Sequence, residues 1–372
     1  MTPNNVSPRL LGRFAADYFA ARKRFTSLGT ERGAHLHTYP IRARGPGDAV
    51  LTIDSAYFGG PTPERLLIVS SGIHGAEGIA GSILQQQLVD SLPDPLALPE
   101  ACGVLLVHAV NPYGFAYVRR ANENNVDLNR NCLERFPGPV NRGYDKLAAL
   151  LNPPSSASRA DAFTLRLLQR GLVHGPRTTV QAIAGGQYHF PKGLFYGGRK
   201  QEESITVFEQ VLRRTTFSRV RVALHIDIHT GLGPYASCQL LSQLAKDSPE
   251  WRQLQQWFGT RNVASSRSAR AGAYVARGLI GELTARVLGH ARVHALTLEF
   301  GTYALLKVLR LLRLENRLHH YGAPSSAAER KIKSEFLECF CPSDPRWRQA
   351  VLEQGGDVLK RAQQALAGTS LE

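Results

Sequence analysis

His74 and Glu77 stand three residues apart in the glycine-rich run SGIHGAEG, directly after the apolar segment Leu66 to Val69. An imidazole nitrogen and a carboxylate oxygen are ordinary zinc ligands, and a catalytic zinc site uses three protein ligands with a fourth position left for water. The pair alone is weak. A chain with 12 histidines and 30 acidic residues holds by chance about one His with an acidic residue three positions on, and the same residues also read as a hydrogen-bonded turn histidine and a carboxylate favoured at a helix N-terminus. The metal reading therefore requires a second histidine, and VALHIDIHTGLG offers it. In a strand His225, Asp227 and His229 share one face. His229, last before TGLG, is best placed to meet His74 and Glu77; His225 reads as a buried, hydrogen-bonded histidine. A second metal involving Asp227 or His225 is the lesser alternative.

Two further segments carry chemistry. ALTLEFGTY puts Glu299 in the middle of an apolar strand, where an ionised, unpaired carboxylate is costly. Such a group needs a cation beside it or a proton to transfer. A metal-activated water supplies both, whereas an arginine partner would make Glu299 structural. NVDLNRN groups Asp127, Asn129 and Arg130. Such a run can be a loop that satisfies its own backbone. Arg130 with Asn129 can also form a fork for a carboxylate, because guanidinium presents paired donors in the carboxylate plane. Asp127 could then hold the second nitrogen of a ligand histidine.

These groups need a frame that brings them together. Four apolar runs, Leu66 to Val69, Val104 to Val110, Val220 to Ile228 and Ala295 to Phe300, each carry ionisable residues at or just beyond their C-terminal ends. Open α/β sheets place ligands there. Helices are expected at Leu10 to Phe25, Gly81 to Leu92, Asp161 to Gly171, Gln201 to Arg214, Pro249 to Phe258, Gly281 to Leu288, Tyr303 to Leu318 and Asp344 to Ala367. The stretches NPPSSASR and GAPSSAAER read as surface loops. Because the polar motifs come from both halves of the chain, one catalytic domain over residues 1–372 is expected, with 319–372 as a helical extension.

Composition narrows the class. The 372 residues are 43% hydrophobic and 20% charged, ordinary for a soluble globular protein. No bilayer-length apolar run and no export signal is present, which predicts a cytoplasmic protein without membrane partners. Five cysteines without repeated spacing argue for reduced thiols rather than a disulfide framework. The formal charge of +15 is spread along the chain without a zinc finger, RNP-type strand or basic helix, so a nucleic-acid partner is not expected. Neither a Gly-x-Ser-x-Gly elbow nor a P-loop occurs.

Together and in this order, GIHGAEG, NPYGFAYVRRANENNVDLNRN, DIHTGLG and LTLEFGTY resemble the M14 zinc carboxypeptidase superfamily over about residues 17–318. They look closest to its DUF2817 branch, with the succinylglutamate desuccinylase and aspartoacylase group more distant. The resemblance implies a single-domain α/β fold: a mixed, mostly parallel twisted sheet of about eight strands with helices on both faces. It implies that His74, Glu77 and His229 bind one zinc, that Glu299 is general base and proton shuttle, and that Asp127 orients His74. Asn129 and Arg130 match the pair that grips a substrate's terminal carboxylate. Arg120, or alternatively Arg119, matches the arginine that stabilises the oxyanion, and Tyr274 in AGAYVARG matches a substrate-contacting tyrosine. The expected substrate is a peptide. The alternatives are an N-acyl amino acid and, from another class, a non-catalytic basic binding role.

Overall fold

The computed structural model describes residues 12–92, 98, 101–158, 161–265, 275–323 and 326–368. Tyr274 lies outside the described residues. Eight strands form one sheet: β1 (His35–Arg44), β2 (Val50–Gly59), β3 (Arg65–Ser71), β4 (Cys102–His108), β5 (Val222–Gly231), β6 (Cys238–Ser242), β7 (Val263–Ser265) and β8 (Arg292–Gly301). Their order is β1-β2-β4-β3-β5-β8-β6-β7. Pairings of β4 with β3, β3 with β5, β5 with β8 and β6 with β7 are parallel, and the other three are antiparallel. The fold is thus α/β with a mixed sheet.

The four apolar runs are the central strands β4, β3, β5 and β8, side by side and parallel. Parallel neighbours end on the same edge of the sheet, so the ionisable residues that follow them meet there. Burial on both faces explains their unbroken hydrophobicity. Leu66, Leu67, Ile68 and Val69 are no more than 1% exposed, and each contributes roughly 1.5 to 3 kcal/mol by leaving water.

Ten helices of eight residues or more are described: α1 (Tyr18–Glu31), α2 (Gly78–Ser91), α3 (Phe163–His174), α4 (Pro176–Ala184), α5 (Glu203–Leu212), α6 (Pro249–Phe258), α7 (Ile280–Val287), α8 (Leu305–Tyr321), α9 (Ala327–Phe340) and α10 (Pro345–Ala367). α1, α2 and α10 cover one face of the sheet, and α5 and α7 cover the other. The first helix starts later than its pattern suggests. Asp17 caps it by accepting the Ala20 N–H at 2.8 Å, so residues 12–17 form turns instead. Phe14, Tyr18 and Phe25 are nevertheless buried together. α9 begins inside the stretch expected to be loop, because Ser326 accepts the Glu329 N–H at 3.0 Å and starts a helix. A second apolar cluster joins residues of α3, α8 and α9 around Ala76, beneath the His74 turn. No helix among the described residues is long and apolar enough to cross a membrane.

Candidate metal centre

β3 ends at Ser71, and the chain passes through His74 into a single helical turn, Gly75–Glu77, that opens α2. Gly75 is required there: a Cβ would fall 1.9 Å from the carbonyl carbon of Gly114, so no other residue lets the turn pack this closely on the 112–116 segment. His229 lies near the C-terminal end of β5, opposite Glu299 in the parallel register with β8. His74, Glu77, His229 and Glu299 are all less than 9% exposed.

Three of these side chains converge. His74 Nδ1 lies 3.0 Å from Glu77 Oε1, His229 Nδ1 lies 3.1 Å from Glu77 Oε2, and the two Nδ1 atoms are 3.2 Å apart. The opposite nitrogens face carboxylates: His74 Nε2 is 3.1 Å from Asp127 Oδ1, and His229 Nε2 is in close contact with Asp227 Oδ2. With a metal bound, a proton on each Nε2 would face these carboxylates and leave the Nδ1 lone pairs turned inward, the arrangement of metal-bound imidazoles backed by carboxylates. Two lone pairs and a carboxylate that face one another in a buried site repel unless a cation or extra proton sits among them. The donor set and its convergence fit a zinc ion, and this trio is the one such group among the described residues.

The surrounding charges follow from the same geometry. Burial alone would raise the Glu77 carboxyl, but His74 and His229 outweigh it and hold it well below the usual range. Glu77 also accepts the Thr230 N–H at 3.0 Å. Burial works against charging His229, yet Asp227 and Glu77 raise it well above the ordinary imidazole value. Burial opposes ionisation of Asp127 too; Arg120, His74 and Arg130 nevertheless keep it ionised. Glu299 goes the other way. Burial and the charge of Glu77 push it up to about 7 against the pull of His229, and its Oε1 accepts the Leu232 N–H at 2.8 Å. Among the described residues no arginine or lysine pairs with it, so an arginine partner does not explain its place.

The remaining candidates are distributed as follows. Arg120 donates from Nε to Asp127 Oδ2 at 3.0 Å, lies 3.6 Å from Glu77 Oε1 and covers the Phe195 ring at 5.1 Å. Arg119 points away into a buried ion cluster. Asn129 accepts the Ile280 N–H at 3.0 Å through Oδ1. Arg130, 1% exposed, donates to the carbonyls of Asn129 and Ala184 at 2.6 and 2.8 Å. Gly186, with φ +87°, clears its path, since a Cβ there would meet Arg130 Cδ at 2.7 Å. His225 is engaged at both nitrogens, by Ser70 Oγ at 2.8 Å and Thr284 Oγ1 at 2.9 Å, and burial pulls it down to about 4. Asp227 is spent on His229 and on the Ser70 hydroxyl at 2.6 Å. Its role in orienting His229 was open to sequence reasoning, since residues i and i+2 of a strand share a face. A separate cavity of about 820 Å³ lies beside β1 and α5 and takes in none of these residues.

The family described as protein of unknown function DUF2817 matches residues 14–354. The chain belongs to the DUF2817 family. The match runs past residue 318 and includes α9. No curated protein matches. Among solved structures, carboxypeptidase A from Helicoverpa armigera is 12% identical over 87% of this chain and 73% of its own, with a TM-score of 0.44. Murein-tripeptide amidase MpaA from Escherichia coli O157 is 20% identical over 80% of this chain and 97% of its own, at 0.36. A metallo-carboxypeptidase from Burkholderia cenocepacia is 12% identical over 91% and 69%, at 0.39.

A pH dependence follows for this DUF2817 protein. In the metal-free state Glu299 is raised to about 7 from its ordinary 4.5, so the folded chain holds a proton that the unfolded chain releases, and stability from this group falls as pH rises through that window. His229, raised from 6.5, contributes stability that is present below 6.5 and is lost as pH rises through its folded value. Glu77 and Asp127 act oppositely, but only at acid pH, where their stabilisation is lost. Zinc displaces protons from its ligands. The Tm increment given by zinc is expected to grow from pH 5 to 8, because fewer protons then have to leave the three donor side chains. A zinc increment in Tm that shrinks over that range would contradict the ligand set.

Proposed function

We propose that this protein is a zinc-dependent hydrolase that cleaves an amide bond next to a free carboxylate, in the manner of a metallocarboxypeptidase. The observation that carries this reading is the convergence of His74 Nδ1, Glu77 and His229 Nδ1 one strand away from the buried carboxyl of Glu299. In this reading these three residues hold one zinc per chain. When bound, zinc supplies a Lewis acid that eases deprotonation of water and polarises the scissile carbonyl.

The protein's own groups do the rest. Glu299 takes a proton from the attacking water as the new C–O bond forms, then delivers it to the amine nitrogen as the C–N bond breaks. Glu299, buried and paired in register with His229, is placed for both transfers. Arg120 directs N–H groups at the developing oxyanion, which costs little reorganisation because Asp127 already fixes it. Asp127 and Asp227 keep the histidine lone pairs aimed inward. Asn129 and Arg130 receive the substrate carboxylate, with Arg130 exchanging backbone carbonyls for a charged, bidentate partner. Tyr274 contacts the substrate.

Arg130→Ala is expected to lower kcat/KM on free-acid substrates by roughly ten- to hundredfold, the loss of a charge-assisted hydrogen-bonded pair worth about 1.5 to 3 kcal/mol. The gap between free-acid and amidated substrates should narrow. Equal loss on both would mark Arg130 as structural. The reading itself is tested by incubating zinc-loaded protein with free-acid peptides, their amides and N-acyl amino acids. Hydrolysis that needs the free carboxylate supports it; hydrolysis of none of them contradicts it.

A further inference from the structure

Behind Arg120 lies a buried ion cluster that the scheme above does not use. Arg119, 1% exposed, donates from Nε to Glu315 Oε1 at 2.9 Å, from Nη2 to Asn125 Oδ1 at 2.8 Å and from Nη1 to the Asn122 carbonyl at 3.3 Å. Glu315, on α8, also accepts from Lys333 Nζ, on α9, at 2.8 Å. The same ammonium donates to the carbonyls of Tyr117 and Val118 at 2.9 and 3.2 Å. Burial opposes charge on Glu315, but Arg119 and Lys333 bring its carboxyl down to about 2, so the cluster is ionised.

The cluster is joined to the metal centre at two places. The Arg119 carbonyl accepts the N–H of Ala76, which sits between the ligands His74 and Glu77, at 2.9 Å. The next residue is Arg120, beside Glu77 and Asp127. The turn itself is one the chain would not adopt unaided, since Val118 has φ +50°, a conformation unfavourable for a β-branched residue. Ion clusters of this kind do not stabilise a fold more than apolar packing does. What an apolar filler could not do is grip the Tyr117 and Val118 carbonyls and the Arg119 fork at once.

We infer that Glu315 and Lys333 are positioning residues, which fix the 117–120 turn from α8 and α9 and thereby set both the place of Arg120 and the attitude of the metal-binding turn. The effect on turnover rests on the hydrolase reading; the effect on metal affinity does not. Glu315→Gln, Lys333→Met and, as control, the exposed Lys331→Met are compared with the parent. Zinc dissociation constants from chelator competition are expected to rise about ten- to hundredfold in the first two and to stay unchanged in the control, as for other groups that support metal ligands indirectly. In zinc-saturated protein kcat should fall about tenfold with KM within about twofold. Glu315→Gln added to Arg120→Ala should lower kcat by less than the product of the two single effects, because part of the glutamate's effect runs through that arginine.

Zinc affinity and kcat both within twofold of the parent would overturn the inference. So would effects of Glu315→Gln and Arg120→Ala that simply multiply, which would mark general destabilisation. If Glu315→Gln does not fold, Lys333→Met, which leaves the Arg119–Glu315 pair intact, decides the matter. A parent that hydrolyses nothing would sink the hydrolase reading while the zinc measurements still judge the clamp.

Discussion

Glu299→Gln is expected to keep its zinc and its fold and to lose about 10³- to 10⁴-fold in kcat, the upper part of the range for general acid–base catalysis. The amide keeps the volume and an oxygen to accept the Leu232 N–H, so the local structure has no reason to change. What it cannot do is accept a proton from water or pass one to a leaving amine. In the proposed scheme both transfers fall on this one side chain, and the other carboxyls described at the site are engaged: Glu77 faces His74 and His229, and Asp127 and Asp227 face imidazoles. If the variant binds zinc normally and hydrolyses substrate within tenfold of the parent, Glu299 is not the base. Lower stability with intact turnover would make it a packing residue.

The convergence of the candidate residues was largely legible in the sequence because they are punctuated by strands. His74, His229 and Glu299 each stand in or just past an apolar run that forms a buried strand. The central strands being parallel then brings those ends together. What the sequence conceals has particular causes. β1 is an edge strand with a proline and alternating half-exposed positions, so its hydrophobic signal is thin. β7 has three residues, too few to show a period. Arg119 and Arg120 are adjacent and chemically equal, and only the turn geometry sends one to Glu315 and the other to Asp127. Arg130 announces itself by type, but its burial against backbone carbonyls depends on Ala184, 54 residues away. α9 had a local signal, a serine three residues before a glutamate, that its flanking prolines and serines obscure.

If His74, Glu77 and His229 form one zinc site, the protein must lose its metal when one of the three is removed. Protein purified without added zinc is expected to carry about one zinc per chain. His229→Ala removes one of three inward lone-pair donors and leaves Asp227 without its imidazole, so most of the metal should be lost while the secondary structure persists. Elemental analysis of both proteins after the same dialysis reads this outcome without reference to any substrate. One zinc in the parent and little in His229→Ala is expected; full metal retained by His229→Ala would mean that His229 is not a ligand.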